Sequence, residues 1–236
     1  MRFIKKRRGP SPDCLYDQNA SPPVDSSEAR RRWSRYDSTV LSDLLLNEQR
    51  FLCAYSEIDL HARQTGFHVE HVKPKSRFPW FCFEYSNLVL SALSSDNLGY
   101  FKDNIFAGHF KGNNFDKKQF LSPLRSRRSR EYFLYLSNGK VVANPSMSKR
   151  YQIKAEHTIN VLNLNAPCLI NWRKRWIDEL DTAIDEHLED GMSVYYLACI
   201  DLLPKAGRLS EFFSASKQRF GSVAKAVLSD FRKGGL

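Results

Sequence analysis

Between residues 67 and 106 two short runs of strand character and one helix start follow so closely that only a small strand–loop–strand–helix unit can form there. Phe67-His68-Val69-Glu70-His71-Val72 alternates like a strand, Asn87-Leu88-Val89-Leu90-Ser91 reads as a second, and Ser94, Ser95 and Asp96 offer N-caps to a short helix. So small a unit cannot bury a core of its own and has to borrow one from flanking helices. Those are legible. Trp33, Tyr36, Val40, Leu41, Leu44 and Leu45 recur at helical spacing and predict an amphipathic helix over 33–51. Leu169, Trp172, Trp176, Ile177, Leu180, Ile184 and Leu188 form a second stripe with Pro167 in its first turn, and shorter helical patterns follow at 192–203 and 208–230. Tyr132 to Leu136, then Asn138-Gly139 and Val141-Val142, predict a hairpin; residues 107–130 read as a loop. The first 30 residues, with Pro10, Pro12, Pro22 and Pro23, read as an extended arm. The class is α+β with helix dominant.

At 236 residues and 42% hydrophobic composition the chain can bury a core without staples. Its longest apolar stretch, Val194 to Leu203, is cut by Asp201 and falls short of the roughly 20 residues of a spanning helix, so no membrane partner is expected. Met1 to Arg8 runs from a basic start into Gly9 and Pro10, without the apolar region of a secretory signal. The five cysteines, at 14, 53, 82, 168 and 199, are therefore expected to be reduced thiols in the cytoplasm. Lys and Arg total 36 against 26 Asp and Glu, a formal charge of +10 that suits a polyanion such as nucleic acid. The excess clusters at Lys5 to Arg8, at Arg30 to Arg32, at Arg125, Arg127, Arg128 and Arg130, and at Arg173 to Arg175.

The informative run is His68-Val69-Glu70-His71-Val72-Lys73-Pro74-Lys75-Ser76, followed by Asn87-Leu88 and then Asp96-Asn97. Together these residues resemble the HNH endonucleases, whose ββα-metal finger holds one divalent cation against the scissile phosphate. Phosphodiester hydrolysis needs a base near pH 7, which neutral imidazole supplies, and a cation that prefers carboxylate or amide oxygens. The resemblance implies His71 as general base, Glu70 as first metal ligand, and Asn87 as the residue that orients the loop carrying the base. The helix-borne ligand is read as Asn97, with Asp96 second; the register also admits Tyr100, a poor Mg²⁺ ligand that would put catalysis in doubt. Mg²⁺ or Mn²⁺ is the implied cofactor, and Lys73, Lys75 and Lys102 are candidate nucleic-acid contacts. With an unperturbed histidine pKa of ~6.5, activity would fall below about pH 6. A structural zinc is not expected, since only Cys53 remains of the Cys-x-x-Cys of many relatives and Ala92, Ser95 and Leu98 fill the later positions. Packing of Phe51, Leu52, Tyr55, Leu93, Leu98 and Phe101 would hold the finger instead. The spacing of a zincin helix is absent around His68.

Beyond the finger, Arg2-Phe3-Ile4-Lys5-Lys6, Phe51-Leu52-Cys53-Ala54-Tyr55-Ser56-Glu57, and Thr158-Ile159 with Leu162-Asn163-Leu164-Asn165, Leu169 and Arg173 look like the PtuB family, HNH subunits of Septu and retron-linked antiphage systems. That resemblance implies a nuclease acting on DNA or on tRNA or other RNA beside a PtuA-like ATPase and, in the retron version, a reverse transcriptase with its RNA–DNA hybrid. The implied organisation is a basic, proline-rich arm over 1–32, an HNH region over 33–130 with its finger at about 51–106, and a hairpin and helical region for partner contact over 131–236. The alternative is an HNH-derived subunit that has lost catalysis and serves only to bind nucleic acid or scaffold a complex.

Overall fold

The computed structural model describes residues 1–7, 11–124 and 132–233. Arg8 and the basic cluster at Arg125, Arg127, Arg128 and Arg130 lie outside the described residues. At the centre β1 (Phe67–His71) pairs antiparallel with β2 (Leu88–Ala92), Phe67 opposite Ala92 and His71 opposite Leu88. Every residue of β2 is buried. Its outer edge is closed by Gln49, whose side-chain Oε1 accepts from Leu90 N at 2.7 Å while Nε2 donates to Leu90 O at 3.0 Å. Gln49 thus supplies the two hydrogen bonds a neighbouring strand would make.

Gln49 ends α3 (Thr39–Gln49), which follows α1 (Asp13–Ala20) and α2 (Ser26–Arg35). The expected extended arm therefore carries α1 and the start of α2. Asp25 caps α2 by accepting from Ser27 N and Glu28 N, a signal that the preceding Pro22 and Pro23 obscure. Residues 1–7 do lie across the core, with Met1 and Ile4 buried and Ile4 N donating to Pro123 O at 2.9 Å. The single helix expected over 33–51 is instead divided, because Asp37 Oδ1 accepts from both the backbone and hydroxyl of Thr39 and starts a new helix there.

After β2 a 3₁₀ segment (Ser95–Asn104), kinked at Phe101, leads into α4 (Ala107–Lys111), a short helix inside the stretch expected to be loop. The predicted hairpin forms as β3 (Phe133–Tyr135) and β4 (Val141–Ala143), with Gly139 at φ +83° in its turn. Four helices follow: α5 (Lys149–Val161), α6 (Pro167–Glu189), α7 (Val194–Leu202) and α8 (Phe213–Arg232). None of the described helices is long and apolar enough to cross a membrane.

The small sheet borrows its core as the sequence demands. Leu52, Tyr55 and Leu93 are buried, while Phe51, Leu98 and Phe101 pack at its margin. Leu52 joins a second cluster with Leu180, Leu202, Phe213 and Phe220 of the C-terminal helices. Arg208 pairs with Asp59 at 2.8 Å, Arg63 pairs with Glu211, and Glu57 accepts from Ser214 N and Oγ at 2.7 Å. The α6 stripe buries Leu169, Ile177 and Leu180, and also Arg173, whose guanidinium donates to Gly139 O and Leu164 O. Part of the basic composition is therefore internal rather than a surface for a polyanion.

Candidate active site

A cleft of about 620 Å³ opens between β1, α4 and the α2–α3 corner. Two residues apart on β1, His68 and Glu70 project to one side, toward α4. Their approach to α4 requires Gly108, since a Cβ there would lie 2.9 Å from the Glu70 carboxyl and from His68 Nε2. Gly108 N in turn donates to Ser91 Oγ on β2 at 2.9 Å.

His68 Nδ1 lies 2.7 Å from Leu93 O, which fixes the proton on that nitrogen in the neutral ring. Its Nε2 lies 3.5 Å from Glu70 Oε2. The His109 ring lies 4.1 Å from the His68 ring, and its Nε2 is buried without a hydrogen-bond partner among the described residues. Lys111, 1% exposed, ends α4 with Nζ 2.8 Å from Glu70 Oε1, 3.3 Å from His71 O and 3.2 Å from Gly112 O. Burial alone would raise the Glu70 carboxyl; Lys111 and then His68 outweigh it and hold it down at about 2.

His71 stands on the other side of β1 in the same cleft, 4% exposed, with the edge of Trp33 4.4 Å from its ring. Nε2 donates to Cys82 O at 2.9 Å, so Nδ1 is the free acceptor of the neutral ring. Burial first, then Lys75, pushes its pKa down to about 3. The value of ~6.5 expected from the sequence is thus corrected, because the imidazole is enclosed rather than solvated. Cys82 comes from the loop between β1 and β2, and Asn87 ties that loop. Asn87 Oδ1 accepts from Lys73 N at 2.8 Å, and Nδ2 donates to Lys73 O and Phe81 O, both at 3.0 Å.

The Leu162-Asn163-Leu164-Asn165 run suspends α4 and the hairpin. Ala107 N donates to Leu162 O at 2.7 Å, Asn163 Nδ2 to Ile105 O at 2.8 Å, and Asn165 exchanges two bonds with the backbone of Val141.

Of the residues the sequence singled out, Glu70, His71, Lys75 and Asp96 line the cleft. Asn97 turns away, Nδ2 donating to Gln64 O at 3.0 Å. Lys73 sets Nζ over the Phe81 ring at 3.2 Å, and Lys102 is exposed on the 3₁₀ segment. Sequence reasoning passed over Gly108, His109 and Lys111, because a five-residue helix is too short to show a period. The one available signal was a glycine beside a histidine soon after β2. Glu70 and His109 bring a carboxylate and an imidazole nitrogen without a hydrogen-bond partner among the described residues into the same cleft. Among the described residues no group of three or more His, Cys, Asp and Glu side chains is arranged to hold a metal ion.

The fold is that of an α+β protein with two small antiparallel sheets, and its cleft holds Glu70 beside His68 and His109. No family model matches the chain. It is similar to an Escherichia coli protein described as "Retron Ec83 putative HNH endonuclease", 30% identical over 164 residues, which cover 57% of this chain and 63% of that protein. The chain thus spans less than two thirds of that relative's length.

Proposed function

We propose that this chain is a metal-dependent HNH endonuclease effector of a PtuB-like antiphage defence system. It hydrolyses phosphodiester bonds of DNA, tRNA or other RNA beside a PtuA-like ATPase and, in a retron setting, a reverse transcriptase with its RNA–DNA hybrid. The observation that carries this reading is the meeting of Glu70, His109 and a neutral His71 in one cleft; the likeness to a retron-named HNH protein supports it.

In the proposed mechanism Glu70 and His109, with His68 beside them, would hold the cation when it is bound. The cation supplies charge neutralisation at the phosphate and the departing oxygen. His71 accepts a proton from water at Nδ1 while Nε2 keeps its bond to Cys82 O, and the water oxygen forms the new bond to phosphorus as the bond to the leaving alkoxide breaks. Asn87 holds the loop that presents the Cys82 carbonyl, which makes it a positioning residue. Lys75 lines the same cleft, which supports its reading as a phosphate contact.

The Lys111–Glu70 ion pair favours a second reading, in which an internal ammonium has replaced the metal and the chain only binds nucleic acid or scaffolds its partners. Cleavage of plasmid DNA and of tRNA by the co-expressed complex, with Mg²⁺, with Mn²⁺ and with EDTA, separates the two. Cation-dependent cleavage that His71→Ala removes supports the nuclease; salt-sensitive binding without cleavage under every condition overturns it.

A further inference from the structure

Lys111, buried behind the cleft, has no part in the nuclease chemistry. Its stem is fully enclosed at the end of α4 and its ammonium meets three acceptors: the Glu70 carboxylate, His71 O and Gly112 O. The ammonium is thus turned inward on these groups, away from a substrate in the open cleft. It also answers a problem of the unloaded site. Glu70 is deeply buried, and a buried carboxylate without a counter-charge is strongly unfavourable. A divalent cation would answer the same need from the same oxygen atoms, so ammonium and metal compete for Glu70.

We propose that Lys111 is an internal counter-cation, which holds the Glu70 carboxylate while no metal is bound and sets the concentration at which a divalent cation can claim it. The inference rests on reading the cleft as an HNH centre. Two positive charges a few ångströms apart around one carboxylate repel strongly even at the higher effective dielectric of a protein. The ammonium therefore lowers metal affinity while keeping the unloaded sheet and α4 together. Binding then requires Lys111 to leave Glu70.

Mn²⁺ titration of the full chain by calorimetry at pH 7.5 tests this without any assay of cleavage. Lys111→Met should bind Mn²⁺ at least about tenfold more tightly than the parent, and Lys111→Arg, which keeps the charge, should stay near it. Without metal Lys111→Met should melt lower than the parent, and Mn²⁺ should raise its melting temperature by the larger amount. In the unmodified protein the ¹⁵N ammonium signal of Lys111, assigned by its loss in Lys111→Arg, should shift when Mg²⁺ is added, a readout that stands if Lys111→Met fails to fold. Weaker Mn²⁺ binding by Lys111→Met, or an ammonium signal indifferent to saturating Mg²⁺, overturns the counter-cation. Mn²⁺ binding that Glu70→Gln leaves unchanged overturns instead the HNH reading beneath it.

Discussion

Asn87 clasps Lys73 by both of its backbone groups, accepting from the amide at 2.8 Å and donating to the carbonyl at 3.0 Å. With a further bond to Phe81 O it joins the start and end of the loop that presents the Cys82 carbonyl to His71. Asn87→Ala would strand three backbone groups at a buried position, each costing about 1–3 kcal/mol. A lower melting temperature, faster exchange of the Lys73 amide and a loss of cleavage should appear together. Full cleavage with a mobile Lys73 amide would deny Asn87 its positioning role.

His71→Ala should remove roughly 10²–10⁴-fold of cleavage while leaving assembly with the ATPase intact, because its loss takes away the proton acceptor. Single-turnover cleavage with Mg²⁺ and with Mn²⁺, beside size exclusion of the complex, checks both halves. An undiminished rate would end the proposed mechanism.

The buried imidazole also makes a statement about stability. Unfolded, His71 takes up a proton near 6.5; folded, only near 3. Between those values the unfolded state binds more protons, so stability is lost as pH falls from 6.5 toward 3, by about 2 kcal/mol at pH 5. His109, pushed down to about 4 by burial and then by His68, acts in the same direction but is half-exposed and screened. Denaturant unfolding at pH 7 and pH 5 should show the loss, and His71→Asn should reduce the difference. Equal stability of the parent at both values would mean that His71 is solvated.

Gly108→Ala places a methyl 2.9 Å from Glu70 and from His68 Nε2, while the α4 backbone itself is compatible with alanine. Mn²⁺ binding and cleavage should fall at least about tenfold with the far-ultraviolet circular dichroism unchanged, the mark of a close approach at the site rather than of a broken fold.

Asn97 and His109 are separable in the same titration. His109→Ala should weaken Mn²⁺ binding by about tenfold or more, since a ligand is lost. Asn97→Ala should cost about 1 kcal/mol by releasing Gln64 O and leave Mn²⁺ binding near the parent value. The reverse order of effects would return the helix-borne ligand to Asn97.

Wherever a local pattern was enough, the sequence by itself determined the outcome. The alternation of 67–72 and the apolar run at 88–90 made the paired strands, Asn138-Gly139 made the hairpin turn, and the stripe after Pro167 made α6. Glu70 and His71 were legible as a pair because β1 carries both to the cleft. Only tertiary structure decided the rest. α4 has no periodicity to read, and it is held by Leu162 and Asn163, more than fifty residues downstream, so the approach of His109 and Lys111 to Glu70 has no local signature. The pKa of His71 likewise depends on Trp33, Lys75 and the Cys82 carbonyl closing around one ring. Local propensity acts over a few residues, whereas burial and charge proximity are sums over segments that only folding brings together.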